Sequence, residues 1–221
     1  MVLVTGACGN VGASTVAELV DRGFRVRALD LPSKGNRAVA GGFSARVDRC
    51  WGSITDLELL GRALGSVDHV LHLAAVIPPA TDADQLAAYA VNVGGMRALL
   101  DAATSSATPP GLTFTSTAQV YGRNADATGP RTVDEAPHPE DNYSRQKVEC
   151  EALVRASGLR WTVFRLGMTP PVALVPLIPF VFELHPETRV EFTHPRDVAA
   201  AVAGTVGNGA VHGKGLNVAG A

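Results

Sequence analysis

A β-branched run, Val2-Leu3-Val4-Thr5, ends directly in Gly6-Ala7-Cys8-Gly9-Asn10-Val11-Gly12, and a helix-forming stretch follows at once. Glycines at this density let the backbone turn tightly and approach a neighbour closely, which residues carrying a Cβ do not allow. The rest of the chain keeps the same alternation. Apolar runs of strand length are expected at 2–5, 24–29, 69–73, 112–115 and 161–164, with helices at 11–22, 56–64, 85–103 and 143–156. Thr55-Asp56-Leu57-Glu58 reads as a capping box opening one helix. Leu86, Tyr89, Ala90, Val93 and Ala98 form a loose apolar stripe on another. Strands alternating with helices read as right-handed βαβ units of a parallel sheet, and strands with few charges fit a sheet covered on both faces. The expected fold class is α/β, a doubly wound parallel sheet.

With 46% hydrophobic and 18% charged residues in 221, a sizeable core is expected and wholesale disorder is excluded. Lys+Arg 19 against Asp+Glu 21 leaves a net charge of −2, which gives no basic footprint for nucleic acid. Cys8, Cys50 and Cys150 lie far apart, and His138, His185, His194 and His212 are dispersed, so no metal site is expected. The unpaired thiols and the absence of a charged leader before Gly6 point to a reducing cytoplasm. The apolar stretch 170–182 contains Pro171, Pro176 and Pro179 and falls short of the roughly 20 residues a membrane helix needs. Residues 122–142 read as a long polar loop. The proline-rich segment 168–189 reads equally as a lid, a dimer contact or a substrate wall.

The glycine turn carries the first chemical signal. A helix that starts just behind it aims free amides and the positive end of its dipole at a pyrophosphate. Asp30 ends the second strand about 20 residues on, where a carboxylate accepts hydrogen bonds from an adenosine ribose. Its charge repels a 2′-phosphate, so NAD is favoured over NADP, although Lys34 and Arg37 stand close enough in sequence to oppose that preference. The second signal is Tyr143-Ser144-Arg145-Gln146-Lys147, which puts a phenol and an ammonium on one helix face. A phenol titrates near about 10, and a neighbouring ammonium favours its ionised form, so such a tyrosine can exchange a proton with a substrate oxygen.

With both signals present, the chain resembles the extended short-chain dehydrogenases/reductases, in their NAD-dependent epimerase/dehydratase branch. Glycines at 6, 9 and 12 look like that family's turn. His72-Leu73-Ala74-Ala75 looks like the segment that lines the cofactor, and Asn92-Val93-Gly94-Gly95 is similar to the helix motif whose asparagine supports the site. Thr115-Ser116-Thr117-Ala118-Gln119-Val120-Tyr121-Gly122 resembles the strand and turn carrying the catalytic hydroxyl, placing it on Thr117 rather than Ser116. Phe192-Thr193-His194-Pro195-Arg196-Asp197-Val198 and Gly215-Leu216-Asn217-Val218 resemble the last core helix and seventh strand.

The resemblance implies a Rossmann core over residues 1–166 and, over 167–221, a reduced substrate-binding segment with the last core helix and strand. It implies that Thr117 bonds the substrate oxygen, that Tyr143 is the general acid/base, and that Lys147 lowers the tyrosine pKa and holds the nicotinamide ribose. Cofactor contacts would fall on Gly6, Gly9, Asn10, Val11, Gly12, Asp30, Ser53, Ile54, Leu73, Ala74, Ala75 and Asn92, together with Tyr143 and Lys147. It also implies a homodimer paired through helices 85–103 and 143–156.

Four departures shape the reading. Ser53 replaces an aspartate, Met168 replaces an asparagine, and Ala118-Gln119 replace the acid and base of water elimination, which sets dehydration aside. Only about 55 residues follow the sixth strand, so either the substrate is small or further segments are missing, and a sugar-like substrate is what the family resemblance implies. Three functions compete: a net dehydrogenase/reductase, an epimerase that recycles bound NAD, and a non-catalytic dinucleotide-binding regulator. Core packing is the expected role of His72 and Cys8, and a solvated turn that of Asp134-Glu135. Substrate contact by Tyr121 and Gln119 is left open.

Overall fold

The computed structural model describes residues 1–123, 129–171 and 191–220. Seven strands form one sheet: β1 Val2–Thr5, β2 Val26–Asp30, β3 Asp48–Trp51, β4 His69–His72, β5 Gly111–Thr117, β6 Trp161–Leu166 and β7 Lys214–Val218. All pair in parallel, in the order β3-β2-β1-β4-β5-β6-β7. The helices are α1 Asn10–Asp21, α2 Lys34–Gly41, α3 Leu57–Ala63, α4 Ala80–Ala83, α5 Gln85–Tyr89, α6 Gly95–Thr104, α7 Asn142–Ala156 and α8 Pro195–Ala203. This is the doubly wound sheet expected from the alternation.

Alternating side chains feed two cores. Leu3 and Val70 pack on one face with Leu60 of α3, Met96 and Leu99 of α6, and Val154 of α7. Val2, Val4 and Leu71 pack on the other with Val16 and Leu19 of α1, and Val198 and Val202 of α8. Burial on both faces is why the central strands read as near-continuous apolar runs. Chain winding reverses between β1 and β4, which are neighbours with Thr5 opposite His72. A crevice forms at such a switch point because the chain leaves the two strands in opposite directions.

Four local expectations are corrected. Strand β3 and helix α2 were not anticipated. The cap of α3 is Asp56, whose carboxylate accepts the Leu59 amide at 3.0 Å, while Thr55 pairs with Ser53 at 2.7 Å. The expected helix 85–103 is broken by a π-helical turn, Ala90–Gly94. Its expected stripe holds at Val93, which is fully buried with Met96 and Leu99, but not at Leu86, which is 85% exposed, or Tyr89, which is 40% exposed. Residues 124–128 of the long loop and 172–190 of the proline-rich segment lie outside the described residues.

Candidate functional site

A groove of about 270 Å³ opens at the C-terminal ends of the central strands, walled by Gly6, Gly9, Asp30, Ser53, Ile54, Leu73, Ala74 and Ala75, among others. Gly6 adopts φ +68°, and a Cβ there would stand 2.7 Å from the Cα of Ala74. At Gly12 a Cβ would stand 2.0 Å from the Gly6 carbonyl oxygen, so α1 begins flush against the turn. Gly9 caps α1 without a side-chain hydrogen bond, and the first turn has no acidic residue. The positive end of the helix is therefore left bare toward the groove. Asn10 reaches the other way, its Nδ2 donating to the Thr169 carbonyl at 3.1 Å, and Val11 packs against the core under the turn.

Asp30 is oriented from three sides. Its Oδ2 accepts the Cys8 amide at 2.7 Å, and its Oδ1 accepts the Leu31 amide at 2.8 Å and Nδ2 of Asn36 at 2.9 Å. The carboxylate is thus fixed at the groove and tied to the glycine turn. Arg37 is engaged elsewhere, stacked over the Trp51 ring at 5.0 Å with its Nε on the Pro32 carbonyl. Burial pushes the Cys8 thiol up to about 11, with Asp30 adding in the same direction, which fits packing rather than reactivity. Ile54 is buried, and a Cβ on Gly95 would stand 2.6 Å from its Cδ1. Glycines at the close approaches of the turn, a bare helix end and an oriented carboxylate are features that fit a dinucleotide.

Helix α7 is started by a reciprocal cap. The Asp141 carboxylate accepts the Ser144 amide at 2.7 Å, and the Asp141 amide donates to the Ser144 hydroxyl at 3.3 Å. This sets Tyr143 in the first turn and Lys147 in the second. Lys147 is buried, its Nζ donating to the Thr115 carbonyl at 2.8 Å and lying 5.5 Å from the Tyr143 ring centre. That bond holds α7 to β5 two residues before Thr117, which ends the strand. The Thr117 hydroxyl accepts the Gln119 amide at 3.2 Å. Among the described residues, the Tyr143 hydroxyl makes no hydrogen bond.

Burial pushes the Tyr143 phenol up, with the Asp141 charge adding, and burial holds Lys147 down at about 8. Desolvation is the largest influence on both because both groups are withdrawn from water. His72 also stays neutral, held down at about 3 by burial, with its Nδ1 2.7 Å from the Thr5 hydroxyl.

Tyr121 does not face the groove. It is buried, accepts Nη1 of Arg165 at 2.9 Å and donates to Oδ1 of Asn217 at 2.7 Å. Arg165 also grips Glu151 of α7 through two bonds, at 3.0 and 2.9 Å. Burial alone would raise the Glu151 carboxyl, but the bonds from Arg165 and Arg155 leave it lowered. Gln119 is exposed. Glu135 accepts the Thr132 amide at 2.7 Å and Nη1 of Arg131 at 2.9 Å, so the acidic step closes a local turn.

Gly12, Asn10, Val11 and Asn92 are not among the residues that line this groove, nor are Thr117, Tyr143 and Lys147. Conversely, Asn36 and Val76 line it and were not singled out from sequence. Asn36 had a weak signal, six residues after Asp30 in a segment capped by Ser33. Val76 had none, since an apolar residue after a strand is unremarked.

The Lys147 shift has a definite sign. The unfolded chain keeps this proton to near 10.5 and the folded chain only to about 8. Between those values the unfolded state binds more protons, so raising the pH stabilises the fold through this group. In urea unfolding at pH 8 and 9, the stability of wild type relative to Lys147→Met should rise by up to about 1 kcal/mol. A flat or falling difference would contradict the buried ammonium.

Residues 2–169 match the family model described as the NAD dependent epimerase/dehydratase family. The chain is 32% identical over 165 residues to a 3 beta-hydroxysteroid dehydrogenase/Delta 5-->4-isomerase of Mycobacterium tuberculosis, covering 70% of this chain and 42% of that protein. It is 34% identical over 163 residues to an L-arabinose 1-dehydrogenase (NAD(P)(+)) of Haloferax volcanii, covering 69% and 59%. The chain thus spans about half the length of these curated relatives. A short-chain dehydrogenase/reductase superfamily protein of Agrobacterium tumefaciens, solved with bound NAD, superposes with a TM-score of 0.80 at 26% identity, covering 99% of this chain and 77% of that one. With the turn, the carboxylate and the helix pair in place, the chain belongs to the NAD-dependent epimerase/dehydratase family.

Proposed function

We propose that this chain carries NAD-dependent redox chemistry at a secondary alcohol or ketone of a small, sugar-like molecule. Residues 1–166 would be the cofactor-binding core, and 167–221 the reduced substrate-binding segment together with the last core helix α8 and strand β7. The observation that carries this reading is the placement of Lys147, bonded to β5 beside Thr117 and close over Tyr143, whose hydroxyl is left for a substrate oxygen.

The amides behind Gly6, Gly9 and Gly12, with Asn10 and Val11, would hold the pyrophosphate. Asp30 would take the adenosine ribose, Ser53 and Ile54 the adenine side, and Leu73, Ala74 and Ala75 the far wall, with Asn92 in support. NAD, once bound, supplies the hydride acceptor or donor and, when oxidised, a positive charge that favours the phenolate. Thr117 already accepts from Gln119, so its O–H is free to donate to the substrate oxygen. Tyr143 passes the proton to or from that oxygen; with its pKa raised by burial, the phenol is poised as an acid toward a ketone. Lys147 fixes α7 against β5 and would reach the nicotinamide ribose.

A dehydrogenase stands in the name of both relatives described above, one of them a dehydrogenase/isomerase, which supports net oxidoreduction. Ala118 and Gln119 supply neither acid nor base for dehydration. A homodimer in the cytoplasm completes the reading, supported by Leu86 and Tyr89 standing exposed on α5 beside α7. The family description keeps an epimerase as the second reading.

Tyr143→Phe should cut turnover by roughly 10²–10⁴, the usual worth of a general acid/base, with NADH affinity unchanged in a fluorescence titration. Survival of activity would remove Tyr143 from proton transfer. Nucleotide released on denaturing the purified protein separates the two enzymes: a freely exchanging site is expected for a dehydrogenase, and near-stoichiometric, retained NAD would favour the epimerase.

A further inference from the structure

Asn92 lies in the π-helical turn between α5 and α6 and is 4% exposed. Its Oδ1 accepts the Val76 amide at 2.7 Å. Its Nδ2 donates to the Val76 carbonyl at 2.9 Å and to Oε1 of Gln146 at 2.7 Å. One buried amide therefore spends both donors, and its orientation is fixed because Oδ1 faces an N–H and Nδ2 faces two oxygens.

The two ends of this bridge matter. Val76 is in the groove wall, directly after Leu73, Ala74 and Ala75. Gln146 is 5% exposed and sits on α7 between Tyr143 and Lys147. One turn further along α7, the Cys150 thiol donates to the Asn92 carbonyl at 3.3 Å. Asn92 makes these bonds from within the π-helical turn, and such insertions gather at functional sites.

We propose that Gln146 is a positioning residue: by accepting from Asn92, it couples the groove wall at Val76 to the setting of the helix that carries Tyr143 and Lys147. The inference rests on the proposed function for what that helix does, while the coupling rests on the hydrogen bonds alone. Without the Gln146 acceptor, a buried donor of Asn92 is left unpaired, and the amide is free to release Val76.

The test reads binding rather than turnover. NADH is titrated by fluorescence into wild type, Gln146→Met, Asn92→Ala, the double variant and Gln146→Glu, and the melting temperature of each is recorded. Gln146→Met keeps the length of the side chain but not the acceptor, and should weaken NADH about fivefold, as expected for one buried hydrogen bond. The double variant should bind no more weakly than Asn92→Ala alone, since both break the same bridge. Gln146→Glu retains an acceptor oxygen and should return the affinity to within about twofold of wild type. Wild-type affinity in Gln146→Met, losses that multiply in the double variant, or a lower melting temperature with unchanged affinity would each overturn the inference. Failure of wild type itself to bind NADH would instead sink the proposed function, and the inference with it.

Discussion

The turn after β1 passes so near the segment after β4 that a Cβ on residue 6 would overlap the backbone of Ala74, and the groove owes its shape to this approach. The left-handed backbone at Gly6 carries the chain across the sheet end without a side chain in the way. Gly12 then lets α1 start against the Gly6 carbonyl. Behind the turn, the Thr5 hydroxyl meets Nδ1 of His72 and the Ala74 amide, at 2.7 and 3.4 Å, and so clasps the two central strands where they diverge. His72 serves this clasp as a neutral imidazole, which is what its complete burial requires.

A second constraint holds the other half of the site. Helix α7 is pinned along its length: by the Asp141 cap, by Lys147 on the Thr115 carbonyl, and by Glu151 in the grip of Arg165. The Glu151–Arg165 pair is buried, so its desolvation is offset only because nearly every donor and acceptor finds a partner. Tyr121 and Asn217 extend it to β7, and Asn217 reaches the Arg131 carbonyl at 2.9 Å. These contacts tie the ends of β5, β6 and β7 to one helix face. A rigid base of this kind is what a proton-transferring side chain needs if it is to stay within reach of its substrate.

Sequence spoke most clearly where backbone geometry left few choices. The glycine turn and Asp30 could be read because close approach and a strand-end carboxylate demand particular residue types. Strand β3 escaped notice because Asp48-Arg49-Cys50-Trp51 is an edge strand, with its first two residues exposed and neither face fully buried. Helix α2 is short and only one of its residues, Ala40, is buried, so it carries little apolar periodicity, although Ser33 caps it. The π-helical turn could not be seen either, because periodicity assumes an unbroken helix and Asn92 is buried for its hydrogen bonds, not for apolar contact. Spacing put Tyr143 and Lys147 on one helix face but says nothing of the desolvation that dominates at both groups. Tyr121 and Gln146 show the same limit: their partners lie 96 and 54 residues away.

The central claim is that the groove at the switch point is a dinucleotide site selected for NAD by Asp30. Calorimetric titration of nucleotide-stripped protein with NAD and then NADP tests it most directly. One NAD per chain is expected, with NADP binding at least about tenfold more weakly, because a 2′-phosphate would meet a fixed carboxylate. Absence of NAD binding, or equal affinity for the two, would contradict the account.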